Sequence, residues 1–140
     1  MGIKKQEFYE GAALYLLARA GTIEGIRYTP PFFVLNGMLW IYMKYSARTR
    51  SPWGFTFMPE EQAQLQARAT LSKVVIGLIC GGDGVAALRY DRFCELSQNR
   101  NTAIHVSCFR GHGEFYEVNG PGGRVREKIA PSDWRKILGE

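Results

Sequence analysis

Between Glu24 and Glu60 the sequence contains no acidic residue. Cysteine is scarce: Cys80, Cys94 and Cys108 are odd in number and lack CxxC spacing. That excludes a disulfide framework and reads as reduced, mostly buried thiols in a reducing compartment. Long apolar runs are missing too. No stretch approaches the roughly 20 residues a membrane-spanning helix needs, so no membrane partner is expected. The opening "MGIKKQEFYE" has no apolar core of a secretory signal, and Gln6 breaks the myristoylation pattern. A cytoplasmic location is the expectation.

What is present is a chain of 140 residues with 46% hydrophobic content and a formal net charge of +5. This is one globular domain, 1–140, large enough to bury a core. The distribution of charge says more than its sum. Arg27, Lys44, Arg48 and Arg50 fall in the acid-free segment, interleaved with Trp40, Tyr42, Tyr45, Trp53, Phe55 and Phe57. A face built from these residues has the composition of a nucleic-acid surface.

Local patterns set the elements. Phe8, Ala12, Tyr15 and Leu16 have helical spacing, and Gly21 stands where the helix would end. "GIRYT" and "PFFVL" read as strands separated by Pro30 and Pro31. Asn36-Gly37 predicts a hairpin into "MLWIYMKYS". Alternation there sends Leu39, Ile41, Met43 and Tyr45 to one face and Trp40, Tyr42, Lys44 and Ser46 to the other. "WGFTF" is a short strand or the approach to the next helix, and "MPEEQAQLQARAT" a helix with Pro in its first turn and acids near its N-terminus. "KVVIGLIC" is apolar enough for the centre of a sheet. "GGDG" turns the chain into the strand "VAALRY". "TAIHVSCF", "EFYEV" and "GRVRE" follow as strands, and "PSDWRKILGE" as a closing helix capped by Ser132.

The order helix, three strands, helix, two strands, with the hairpin "FFVLNGMLWIYMKYS" in its middle, resembles the PD-(D/E)XK nuclease-like superfamily. The likeness is to its Holliday-junction-resolvase branch, over about residues 5–90. It implies an α/β fold with a mixed sheet of restriction-endonuclease-like order, α-β-β-β-α-β-β. A β-rich extension over about 91–140 and a short final helix lie outside it. In that family a helix glutamate, an aspartate opening the hairpin, and an acid two residues before a lysine hold divalent metal, and the lysine assists the attacking water. The resemblance puts the lysine at Lys44 and the helix glutamate at Glu7 or, better, Glu10. The aspartate position falls on Pro31 or Phe32, and the second acid on Tyr42. Neither can supply the hard oxygen ligand magnesium needs, and no acid lies nearby in sequence. Lys44 and Glu10 then read as remnants of a catalytic site. No metal site and no cofactor are expected, magnesium entering only for an active nuclease.

Two functional readings follow. In the first, a catalytically degenerate nuclease-like module binds DNA or RNA through Arg27, Tyr42, Lys44, Arg48, Arg50 and Trp53. In the second, the chain is a structural or protein-interaction domain, such as a homodimer using the hairpin face or Trp53. A third, an active nuclease with relocated carboxylates, needs Glu10, Glu24 and Asp83 to converge. Other patterns carry less. Gly82, Gly84 and Ala87 have dinucleotide-fingerprint spacing, but the alternation after them favours a hairpin turn. His105 and Cys108, an odd number of residues apart, point to opposite faces of a strand, which argues against zinc.

Overall fold

A computed structural model describes residues 2–21, 23–98 and 101–139. Helix α1, Lys5–Ala20, begins where the Glu7 carboxylate reaches back to accept the Lys4 N–H at 2.8 Å, satisfying one of the free donors of the first turn. It ends at Gly21, whose N–H donates to the Leu17 carbonyl with an extended rather than left-handed backbone. The buried stripe is Ala13 and Leu17, with Tyr9 and Leu16 against it; Phe8, Ala12 and Tyr15 face outward.

Strands β1 (Ile26–Thr29) and β2 (Phe32–Leu35) form an antiparallel pair across cis Pro30-Pro31. Asn36 and Gly37 adopt φ of 54° and 67°, the left-handed region that suits these two residue types. They turn the chain into β3 (Leu39–Ser46), and the Asn36 side chain accepts the N–H groups of Glu24 and Gly25. Strand β4 (Trp53–Phe57) leads into α2 (Pro59–Ala69), with Pro at the start as expected. Strand β5 (Lys73–Cys80) then runs parallel to β3, and β6 (Gly84–Arg89) returns antiparallel to it. The "GGDG" segment is therefore a hairpin turn.

The first sheet has the order β1-β2-β3-β5-β6. β4 does not join it. It pairs with β7 (Ile104–Phe109) in a second, antiparallel sheet that continues to β8 (Glu117–Gly120) and β9 (Gly123–Arg124). Two further expectations are corrected. A helix, α3 (Tyr90–Ser97), follows β6 where the sequence showed no helical period. In the closing helix α4 (Asp133–Lys136), Ser132 holds the cap position, but its side chain makes no capping bond; the Asp133 carboxylate accepts the Ala130 N–H instead.

The first sheet is buried on both faces. Leu39, Ile41 and Met43 pack with Val75 against Ala13, Leu17, Trp134 and Ile137. Trp40 and Tyr42 pack with Ile76 and Leu78 against α2, α3 and the inner side of the second sheet. Gly77 in β5 makes room for Trp134, whose ring would lie 2.9 Å from any Cβ there. The indole N–H donates to the Ala13 carbonyl at 3.0 Å, tying the last helix to the first. Among the described residues no helix is long and apolar enough to cross a membrane.

Candidate functional site: a cleft on the bare edge of β3

Strand lengths create the site. β2 pairs with β3 only from Phe33↔Ile41 to Leu35↔Leu39, whereas β5 follows β3 as far as Ser46. From Tyr42 onward β3 thus has no neighbouring strand on its β2 side. A cleft of about 250 Å³ opens there, lined by Gln6 and Glu10 of α1, Tyr42 to Tyr45 of β3 and Glu61 of α2. Tyr9 stacks on Tyr45 with ring centroids 4.9 Å apart, seating α1 against the strand.

Lys44 is enclosed by acceptors. Its Nζ donates to Glu61 Oε1 at 2.7 Å, to Oε2 at 3.0 Å and to the Thr56 carbonyl, and it lies 4.9 Å from the Phe57 ring centroid. Glu61 is equally occupied. Besides Lys44 it accepts the Tyr42 hydroxyl at 2.7 Å and the Met58 N–H at 2.7 Å. Burial alone would raise its pKa. Hydrogen bonds from Lys44, Tyr42 and Met58, with the Lys44 charge, outweigh that and hold it below the ordinary carboxylate value. Burial and donation to an anion push the Tyr42 phenol well above its usual range, so it stays a neutral donor. Glu10 has its pKa raised, by burial first and by Glu7 nearby, against a 2.6 Å bond from Gln6.

Lys44, Tyr42 and Glu10 therefore do share one cleft, and Glu61 joins them from another element. Glu61 is the site residue that sequence reasoning missed. Its only local signal is a glutamate in the first turn of α2, which looks like a helix cap and is one. The donor set does not suit a divalent metal. Phe32, one of the two residues on which the resemblance put the aspartate, is buried with its ring 5.7 Å from that of Tyr42 and edge-on to it. Both Glu61 oxygens are engaged by Lys44, Tyr42 and Met58. Glu24 lies by Asn36 at one end of β3, and Asp83 at the other, bound to Arg110 and Tyr116. Those ends are separated by about 23 Å, seven steps of about 3.3 Å each, so Glu10, Glu24 and Asp83 do not converge. Among the described residues no group of three or more metal-ligating side chains is assembled. A hard cation takes several oxygen ligands, and both Glu61 oxygens are already engaged here. Glu10 and Glu61 line the cleft with Lys44, whose charge Glu61 already engages.

The other nucleic-acid candidates are scattered. Trp53 is 3% exposed, its indole N–H donating to the Arg48 carbonyl at 3.0 Å and its ring edge-on to Tyr116. It is a core residue and cannot stack on a base. Tyr42, 6% exposed, is likewise unavailable. Arg48 and Arg50 are exposed on the loop 47–52. Ser51 bonds the Arg110 carbonyl, and Arg110 pairs with Asp83, so three loops meet at this end of the molecule. Arg27 is exposed on β1, aligned through Val34 with Trp40 and far from that loop. Arg68 covers the Trp40 ring at 3.7 Å nearby. His105 is exposed and Cys108 buried, on opposite faces as expected.

No protein-family model matches the chain, and neither a curated protein nor a solved structure matches it.

Proposed function

We propose that the chain is a catalytically degenerate, nuclease-like module that binds nucleic acid through its basic loop surface, outside the cleft. The observation that carries this reading is the closure of the cleft by its own groups. Lys44 stands on β3 beside the α1 glutamate, yet its charge is consumed by Glu61, and the aspartate position falls on Pro31 or Phe32. The strand order supports the nuclease-like fold: helix, three strands, helix and two strands run through the first sheet, with β4 set aside in the second. Arg48 and Arg50 are exposed on the loop that leaves β3 beside the cleft, and in this reading they meet a phosphate backbone. Arg27 with Arg68 forms a second basic point across the sheet. A cytoplasmic setting, with DNA or RNA as partner, completes the reading.

The test is anisotropy of labelled duplex, branched and single-stranded nucleic acid over a salt series, with magnesium present. Binding should weaken linearly on a log–log plot through counterion release, without cleavage. Absence of binding at low salt, or magnesium-dependent cleavage, overturns the proposal.

One observation favours the interaction-domain reading. Phe8 and Tyr15 are 62% and 63% exposed on α1, with Gly11 and Ala12 between them. That bare helical face, not the buried hairpin or Trp53, is where a second copy would pack. Sedimentation equilibrium of the wild type against Tyr15→Glu separates a dimer from a monomer.

A further inference from the structure

Cys80 closes β5 in the first sheet and Cys108 lies in β7 of the second, 28 residues apart in sequence. Both are fully buried, and the Cys80 thiol donates toward Cys108 Sγ at 3.7 Å, the van der Waals separation of two sulfurs. We infer that these two cysteines form an oxidation site, taking a peroxide as co-substrate and closing into a disulfide that staples the two sheets together. The third thiol, Cys94, sits apart on α3.

The placement supports the chemistry. The residues already face each other across the packed sheets, so joining them requires each sulfur to move by less than an ångström, within reach of side-chain rotation. One sulfur, as thiolate, attacks the peroxide. The O–O bond breaks, leaving a sulfenic acid and, after protonation, water. The second thiol then displaces the hydroxyl, forming the S–S bond and releasing a second water. Two thiols are oxidised and one peroxide is reduced.

In this proposal the turn after Cys80 is the latch that governs access. It carries Asp83, which Arg110 grips at 2.9 and 3.0 Å and the Tyr116 hydroxyl at 2.6 Å. Gly84 leaves room for that hydroxyl, which would lie 2.7 Å from a Cβ. The hydrogen bond to Cys108, with burial, keeps the Cys80 thiol protonated, so the closed latch makes the pair slow to react. In the proposed reaction, opening this turn exposes the pair to the oxidant.

The experiment exposes the full chain to hydrogen peroxide, alkylates it under denaturing conditions and maps the peptides by mass spectrometry. The expected result is loss of two of the three alkylatable thiols, a linked peptide joining Cys80 to Cys108, and free Cys94. The midpoint of thermal unfolding should rise by roughly 5–10 °C, reversed by a dithiol reductant. Arg110→Ala should form the same link severalfold faster. Cys94→Ser should not change it. Retention of all three thiols, a link through Cys94, or oxidation confined to sulfinic and sulfonic acids overturns the inference. Because the readout is made on the wild type, it does not depend on either buried cysteine tolerating substitution.

Discussion

Two clusters at different places on the molecule are built from the same parts. At Asp83 a carboxylate holds an arginine and a tyrosine hydroxyl; at Glu61 a carboxylate holds a lysine and a tyrosine hydroxyl. Their exposures match as well. Lys44 and Glu61 are 19% and 24% exposed, Arg110 and Asp83 24% and 28%. The Asp83 cluster ties two loops together, and Ser51 brings a third to it through the Arg110 carbonyl. By the same geometry the Glu61 cluster ties α2 to β3, although its lysine stands where a catalytic one is expected. The difference is that Glu61 also accepts a backbone N–H at the start of α2, so it serves helix and tie together. Glu10, with a raised pKa, adds a second carboxylate to the Glu61 cleft.

Removing the carboxylates separates the two clusters most sharply. Glu61→Ala leaves a half-buried ammonium with the Thr56 carbonyl but no carboxylate, leaves a buried phenol without its acceptor, and uncaps α2. It should cost about 2–3 kcal/mol in urea unfolding, after allowing for partial exposure. Asp83→Ala should cost less, about 1–2 kcal/mol, because it bonds only side chains from loops. Equal costs would mean that the cap adds nothing.

Next in size is the response to acid. The folded pKa of Glu61 lies below the ordinary 4.5, so its stabilisation is present above that pH and fades as pH falls through the folded value. The folded pKa of Glu10 lies above 4.5, so ionising it as pH rises costs stability. Glu10→Gln should therefore raise the unfolding midpoint at pH 7 and leave it unchanged near pH 3. Glu61→Gln should lower it at pH 7 and flatten the loss on the acid side. Denaturation curves across this range check both signs.

The smallest effect expected concerns Trp53. Trp53→Phe keeps most of the buried ring and removes the N–H bond to Arg48, costing about 1 kcal/mol. Nucleic-acid affinity should be unaltered. A large loss of affinity with little loss of stability would return this residue to the surface.

Much of the first sheet was legible in the sequence. The alternation from Leu39 to Ser46 sorted both faces correctly, and the apolar run Lys73–Cys80 proved central, with β3 and β6 on its edges and a core cluster on each face. The membership of Trp53–Phe57 was not legible, since strand alternation is the same whichever sheet a strand joins. Helix α3 escaped because its eight residues span barely two turns, with only Phe93, Leu96 and Ser97 buried. At the site, Lys44 could be put on the right face, but its partner arrives 17 residues later in a position that a helix cap alone explains. Trp53 misled for a related reason. Interleaved aromatics and cations read alike whether the rings face solvent or line a core with the cations at its rim.

If Lys44 is a structural tie and the loop arginines meet the phosphates, the two should respond differently to salt. The most direct measurement is the salt dependence of nucleic-acid binding for Lys44→Met beside Arg48→Ala/Arg50→Ala. Lys44→Met should keep the wild-type slope at a temperature where it is folded. The double arginine variant should show a slope shallower by about two, one for each phosphate it no longer neutralises. A Lys44→Met slope that falls while the arginine variant binds like the wild type would contradict this assignment.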